Sequence, residues 1–425
     1  GLLDSAGGRF HEKLRLHRLL ATNAARSPRM NACETNNYMQ NPTIDFDKET
    51  PLFFSPMGDP LYHLKESMIV RFAGRRGVVS TCNLNGGYRE DLRYAFNNSC
   101  GRDPDVIAKR SVGMRGKTLT EHYAALAEEL GLPLDKTTGM GTAALIENTA
   151  TSSRQYHGVT VMAVATAGID VNGGRAGEPA AYNEFTQTDL IKPGTINVFL
   201  FIDASLDAGT LTRALVTATE AKTAALQELM ANSMYSEDLA TGSGTDSLIA
   251  ICNKESEIVL QNSGKHVLLG EMIGQSVKEA ITEALSRQTK MTPTRQASIE
   301  WQTKRYGITR EAIVSECLRL YPHLKKEVVE AGIGGIDRDN RLVAAVAAIA
   351  HLCDQNRWQI ISDESMTCTA ENILHTILSE EGISEEANRK DIVCGQDAPA
   401  YRQVLSLCLH TLARILHNRI IHSSL

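Results

Sequence analysis

A lysine on an apolar helical stripe has to be paired or neutralised. In segment 208–232, Leu211, Leu215, Ala218, Ala225 and Leu229 recur in steps of three and four, and Lys222 falls on the same stripe. Such a lysine requires a carboxylate partner or a shifted pKa. Glu178 and Asp246 are the candidate partners. The plain alternative is a stem that covers apolar area while the ammonium reaches water. Just downstream, Ala240-Thr241-Gly242-Ser243-Gly244-Thr245-Asp246-Ser247 places four hydroxyls, two glycines and a carboxylate in one turn. Glycines there let the backbone approach a ligand and present its amides. The hydroxyls suit a nucleophile or an oxyanion-binding turn. The helix-to-strand order and the missing Gly-Lys-Ser/Thr exclude a phosphate-binding Walker loop. A simple Gly/Ser connection is the plain alternative.

Two further segments carry groups suited to binding. Ser80-Thr81-Cys82-Asn83-Leu84-Asn85-Gly86-Gly87-Tyr88 ends a strand with two side-chain amides, Asn83 and Asn85, which suit an amide-rich ligand; an Asn-Gly turn is the alternative. Between Thr166 and Thr195 lie 28 residues without periodicity, among them Asp170, Asn172, Arg175 and Glu178. Structureless stretches beyond about 12–15 residues are uncommon in compact domains, so a binding loop is expected here. Metal-ligand spacing is absent: there is no His-Glu-x-x-His or Cys-x-x-Cys, and His63, His122, His157 and His266 stand singly. No metal site and no cofactor is expected, although distant residues could still assemble one.

The elements that must position these groups alternate from about residue 60. Met68–Ala73 and Val78–Cys82 read as strands joined by a hairpin turn at Gly74-Arg75-Arg76-Gly77. Helices are expected at Glu90–Asn97, Thr118–Leu130, Ala208–Asn232 and Gly270–Arg287. Val159–Thr166 and Ile196–Ile202 read as strands apolar on both faces, and such strands are covered on both sides. Ser247–Cys252 and Val267–Leu269 are further expected strands. From residue 290 only helices are expected, at Arg295–Tyr306, Arg310–Leu318, Arg341–Cys353, Ala370–Leu378 and Tyr401–His422. The fold class is therefore α+β, a largely antiparallel or mixed sheet layered with helices, followed by a helical C-terminal domain. The expected domains are an N-terminal extension over 1–59, an α+β domain over 60–289 and a helical accessory domain over 290–425.

Composition narrows the function classes. The 425 residues carry 44 Lys+Arg and 50 Asp+Glu, a net charge of −6, which disfavours a nucleic-acid binder. The longest apolar run, Leu342–Ala350, has nine residues, against the roughly 20 of a membrane span. Nine scattered cysteines, an odd number, suggest reduced thiols and a cytoplasmic protein. The first 30 residues carry six basic and two acidic groups, with a short amphipathic pattern at Leu14–Leu20. They read as a targeting peptide or, more plainly, as a tail ahead of a start at Met30. A homo-oligomer is compatible with all of this.

Six segments in order resemble the adenosylcobinamide amidohydrolase family of corrinoid salvage. They are Ser80–Gly87, Gly139-Met140-Gly141-Thr142-Ala143-Ala144, Thr166-Ala167-Gly168, Gly194-Thr195-Ile196-Asn197, Thr219–Leu226 and Ala240–Asp246. The resemblance spans about residues 60–288. It departs from the family where Gly-Asp is usual, since Gly177-Glu178 stands there. It implies hydrolysis of the amide joining aminopropanol to the corrin ring's propionate chain, with adenosylcobyric acid as product and the corrinoid as substrate.

Amide hydrolysis needs a nucleophile, an oxyanion stabiliser and an acid for the leaving amine. With the resemblance in hand, Lys222 and Asp246 are expected to form the polar centre, with Thr245, Ser243 or a water attacking. The amides of Gly242–Thr245 and the Asn197 side chain are expected at the oxyanion, and Glu178 at the water. Asn83, Asn85, Asn172, Thr241, Gly242, Ser243 and Gly244 are the expected substrate contacts. The competing readings are a different hydrolase or acyltransferase related to autoprocessing enzymes and using Thr245 or Thr195, a non-catalytic corrinoid binder or sensor, and a structural partner protein that docks through its helical C-terminal part.

Overall fold

Along strand Thr195–Ile202, side chains alternate between two apolar layers, and this strand lies inside a six-stranded sheet. Ile196, Val198, Leu200 and Ile202 face a helical layer, whereas Phe199 and Phe201 face a second sheet. The computed structural model describes residues 44–100, 115–180, 183, 185, 194–384 and 397–423. The expected helix at Leu14–Leu20 and the basic N-terminal segment lie outside them.

The first sheet has the order β1–β2–β3–β6–β7, from β1 Phe53–Phe54, β2 Pro60–Leu64, β3 Ser67–Arg71, β6 Tyr94–Ser99 and β7 Thr137–Thr142. The second has the order β5–β4–β14–β11–β9–β8, from β4 Arg76–Ser80, β5 Gly87–Arg89, β8 Ala150–Tyr156, β9 Val159–Gly168, β11 Thr195–Ile202 and β14 Ser247–Asn253. One pair in each, β6/β7 and β11/β14, is parallel; the other pairs are antiparallel. Two short ladders complete the pairing: β10 Gly173–Gly174 with β13 Gly242–Ser243, and β12 Ser205–Leu206 with β15 Val259–Leu260.

Helices cover the outer faces. Helix α1, Leu119–Glu129, starts at a capping box of Thr118 and Glu121 and packs Leu126 and Ala127 against Ile69 and Phe96 of the first sheet. Helix α2, Ala208–Glu228, is capped by Asp207, and α3 spans Leu268–Thr289; both pack on the second sheet. The layers thus run helix, sheet, sheet, helices, an α+β fold with largely antiparallel sheets. Each fully buried Leu, Ile or Phe of these layers contributes roughly 1.5–3 kcal/mol.

Three local expectations are corrected. Strands β3 and β4 do not form a hairpin; they belong to different sheets. The Gly74–Gly77 corner between them is tied by Arg76 to Asp59, buried to 2% and 0% exposure, with Nη2 to Oδ1 at 2.9 Å. Ala73 N–H also donates to Asp59 Oδ1, at 2.8 Å. Residues 94–99 form strand β6, not the end of a helix, because Ala95 and Phe96 are buried on opposite faces. The Phe96 ring lies over Gly139 of β7, where a Cβ would stand 2.1 Å from it. Val267 is the N-cap of α3 rather than part of a strand.

The C-terminal helices are α4 Pro293–Gln296, α5 Ile299–Thr303, α6 Arg310–Leu320, α7 Lys326–Asp337, α8 Asn340–Arg357, α9 Asp363–Glu380 and α10 Ala400–Ser423. The stretch expected as one helix over Arg295–Tyr306 is broken at Ala297 and Ser298, and Ser298 caps α5. Ile313, Ile336, Val346, Leu374 and Leu412 of these helices share a second apolar core. Among the described residues no helix is long and apolar enough to cross a membrane.

Candidate active site

Strand polarity gathers the polar residues of the sandwich at one edge. Parallel β11 and β14 begin there, while antiparallel β4 and β9 end there. Between the sheets Asn197 Nδ2 donates to Asn97 Oδ1 at 2.8 Å and to the Gly141 carbonyl at 2.9 Å. Asn97 Nδ2 in turn donates to Thr166 Oγ1 at 2.9 Å, and Thr195 Oγ1 donates to the Thr245 carbonyl at 2.7 Å. This network ties both sheets to the turn after β13. Both amide protons of Asn197 are engaged and the residue is buried, so in this structure it holds strand ends together. Just past the end of β4, burial pushes the Cys82 thiol up to about 11, which keeps it protonated at neutral pH.

Lys222 projects from α2 next to the buried Ala218, Ala221 and Ala225. Its Nζ meets Asp246 Oδ2 at 2.5 Å, with the two side chains 12% and 9% exposed. Asp246, not Glu178, is its partner. Asp246 is held from three further sides. Its Oδ1 accepts from Ile196 N–H at 2.9 Å and Ser243 Oγ at 2.7 Å, and its Oδ2 from Ser243 N–H at 2.9 Å. The Thr245 hydroxyl instead donates to the Gly194 carbonyl at 2.8 Å. The same carbonyl accepts from Asn172 Nδ2 at 2.5 Å and stands 3.3 Å from Ser243 Oγ.

A glycine ladder lies beneath this centre. Gly174 of β10 pairs with Gly242 of β13. A Cβ on Gly242 would stand 2.4 Å from Asp246 Oδ2 and 2.6 Å from Lys222 Nζ. A Cβ on Gly174 would stand 2.8 Å from Glu178 Oε1. The two carboxylates therefore approach the same ladder by separate contacts. Glu178 accepts from Arg175 N–H at 2.7 Å and from Ser233 Oγ at 2.8 Å. Thr241 Oγ1 accepts from Ala176 N–H at 2.9 Å, and its carbonyl accepts from Thr223 Oγ1 at 3.2 Å. The aperiodic stretch after Thr166 is thus partly structured: β9 continues to Gly168, and Gly173–Gly174 form β10.

Lys222, Asp246, Thr245, Ser243, Gly242, Gly244, Thr241 and Asn172 cluster around this turn, with Glu178 on its ladder. Asn85 does not join them. Its Nδ2 donates to the Leu134 and Thr137 carbonyls at 2.6 and 2.7 Å, bracing the start of β7. Asn83 is exposed on the turn after β4. Sequence reasoning missed Asn97, hidden in a stretch read as helix, and Ser233, which lies in an irregular loop; the alternation of Ala95 and Phe96 was the available signal for the first. It also missed a convergence of His63, Glu66 and Glu147, whose ligating atoms lie within 4.8 Å of one another. Among the described residues this is the group that could hold a metal ion, and it joins positions 63, 66 and 147 that no spacing motif connects.

The profile of the adenosylcobinamide amidohydrolase (CbiZ) family matches residues 56–293. The chain belongs to this family. An uncharacterized protein of Methanocaldococcus jannaschii is 29% identical over 247 residues, which are 55% of this chain and 91% of that protein. Two solved structures are similar with TM-scores of 0.26: a beta-aminopeptidase of Burkholderia sp., 15% identical, and the PH0078 protein of Pyrococcus horikoshii, 13% identical. Each match covers 56% of this chain and 82% of the other. The family match holds every residue of the polar centre and ends at Pro293, the first residue of α4.

Proposed function

We propose that this chain hydrolyses the amide joining aminopropanol to the corrin ring of adenosylcobinamide, releasing adenosylcobyric acid and aminopropanol. Family membership supports the substrate class, and one observation carries the chemistry: Ser243 Oγ donates to a carboxylate that a buried-stem lysine holds on its other oxygen. Ser243 attacks the amide carbon as its proton passes to Asp246 Oδ1. The C–N bond breaks, and the leaving amine takes that proton. Water, deprotonated by the same carboxylate, then cleaves the ester to the free acid. Lys222 orients Asp246 and sets a cation beside the charge that develops. Ser243 is favoured over Thr245, whose hydroxyl proton is directed at Gly194. Ser243 N–H serves Asp246 and Thr245 N–H lies 3.3 Å from Ser243 Oγ, and in this reading the remaining amides of the Gly242–Thr245 turn receive the oxyanion. Asn172 and Thr241 border the turn as substrate contacts.

The reaction as written uses no cofactor, and its place is corrinoid salvage in the cytoplasm. The test is mass spectrometry of adenosylcobinamide after incubation with the full chain, with and without a chelator. Adenosylcobyric acid in both arms supports the reading. Loss of product with chelator moves attention to His63, Glu66 and Glu147. A bound corrinoid of unchanged mass identifies a binder instead.

A further inference from the structure

The helical region holds a loop beside the candidate site, and separately Arg295 of α4 pairs with Asp170 at 3.2 Å. Residues 232–239 leave α2 and return to the glycine ladder, with Asn232 and Leu239 bridged across the loop's base. On one side the loop is bonded to the site. Met234 N–H donates to the Gly173 carbonyl at 2.8 Å, Arg175 Nη1 donates to the Leu239 carbonyl at 3.2 Å, and Ser233 Oγ donates to Glu178.

On the other side, among the described residues, three arginines of the helical region reach it. Arg357 of α8 donates to Asp238 Oδ1 at 3.0 Å, and Arg402 of α10 pairs with Glu237. Arg305 Nη1 donates to the Glu237 carbonyl at 2.5 Å, and its guanidinium forks onto Asp354 of α8 with both bonds at 2.6 Å. The Arg305 and Asp354 side chains are 1% and 7% exposed, and Tyr306 Oη donates to the same carboxylate at 2.5 Å. A buried bidentate pair of this kind fixes direction more than it adds stability. Asn232 Nδ2 also donates to the Trp301 carbonyl of α5, at 3.1 Å. From Arg305 the path runs through the Glu237 carbonyl, the Asp238 carbonyl that accepts from Ser233 N–H at 2.9 Å, and the Ser233 hydroxyl to Glu178.

We infer that residues 293–423 are a positioning domain: through Arg305, Arg357 and Arg402 they set the 232–239 loop, and with it Glu178 and the glycine ladder under Asp246. The family match stops where this region starts, and the M. jannaschii protein aligns over 91% of its own length with only 55% of this chain. The grip on the loop is therefore an addition to the shared α+β part. None of the three arginines touches the reacting atoms; they act through the loop.

The kinetic half of the test rests on the proposed hydrolysis, and the exchange half does not. Amide hydrogen exchange of the full chain is followed by mass spectrometry in Arg357→Ala, Arg402→Ala and Arg357→Lys, with kcat and KM on adenosylcobinamide. Expected is exchange over 232–243 faster by about tenfold in the alanine variants, with β11 unchanged and partial rescue by lysine. A kcat lower by about tenfold at constant KM accompanies it. Unchanged exchange over 232–243 in both alanine variants overturns the inference, as does faster exchange with unchanged kcat. If Arg357→Ala unfolds the chain, seen as loss of β11 protection, the more exposed Arg402→Ala decides alone. If the unmodified chain turns over no adenosylcobinamide, the proposed function fails and exchange judges the inference by itself.

Discussion

Alanine at Gly242 perturbs the geometry of the polar centre without removing any of its groups. The new Cβ would lie 2.4 Å from Asp246 Oδ2 and 2.6 Å from Lys222 Nζ. Ordinary contact begins near 3.4 Å, so the carboxylate or the ladder has to move by about 1 Å. The carboxylate cannot swing freely, because Ile196 N–H, Ser243 N–H and Ser243 Oγ–H hold it. A misplacement of about 1 Å costs on the order of 100-fold in rate, and overpacking costs about 1–3 kcal/mol. Gly242→Ala is therefore expected to lower kcat on adenosylcobinamide by about two orders of magnitude, and the midpoint of thermal unfolding by a few degrees. Gly274→Ala in α3 is the control. Nothing lies within 4 Å of its Cβ position, so it is expected to leave turnover unchanged and to stabilise the helix by roughly 0.5–1 kcal/mol. A Gly242→Ala enzyme within threefold of the unmodified rate, with the same unfolding midpoint, would refute the steric reasoning.

Removing Arg76 strands the Asp59 carboxylate in the corner between the sheets, so Arg76→Ala is expected to cost about 3–5 kcal/mol. A denaturant titration checks this, and a loss under 1 kcal/mol would contradict it. At Lys304, over the Trp301 ring at 3.4 Å, burial lowers the pKa from 10.5 to about 8. Up to about pH 8 the folded state bears the cost of a desolvated ammonium. Between there and the ordinary lysine value the folded state sheds its proton while the unfolded chain keeps its own, so stability from this group rises with pH. Lys304→Met is therefore expected to stabilise most at pH 7 and progressively less toward pH 10, in unfolding curves taken at both ends; a pH-independent difference would contradict the assignment.

The two-sided apolar patterns of β9 and β11 announced strands buried in the middle of the stack, and the structure has them there. Lys222 on an apolar stripe demanded a carboxylate, and Asp246 meets it. What stayed illegible depended on partners far away in the chain. The Gly139-Met140-Gly141 segment lacks the β-branched residues of a typical strand, because Phe96 occupies the space a side chain at 139 would fill. The Gly74–Gly77 corner carries hairpin residues, yet Asp59 pins it between sheets. Helix α7 hid behind Gly332, Gly334 and Gly335, of which Gly332 lets Leu416 and Ile420 of α10 approach closely. Asn85 carries the amide chemistry of a ligand contact but spends it on two backbone carbonyls. Residue type stated the chemistry; only the packing decided which groups it serves.

The proposed hydrolytic role of the Lys222–Asp246–Ser243 centre is tested most directly by turnover of adenosylcobinamide in water enriched in oxygen-18, with the unmodified chain and Lys222→Met side by side. The unmodified chain is expected to release adenosylcobyric acid carrying one heavy oxygen in its new carboxylate. Lys222→Met is expected to stay folded with a lowered unfolding midpoint, because Asp246 loses its cation, to bind the corrinoid, and to yield no product above the blank. Undiminished turnover by Lys222→Met, or an unmodified chain that returns adenosylcobinamide at its original mass, would contradict the account.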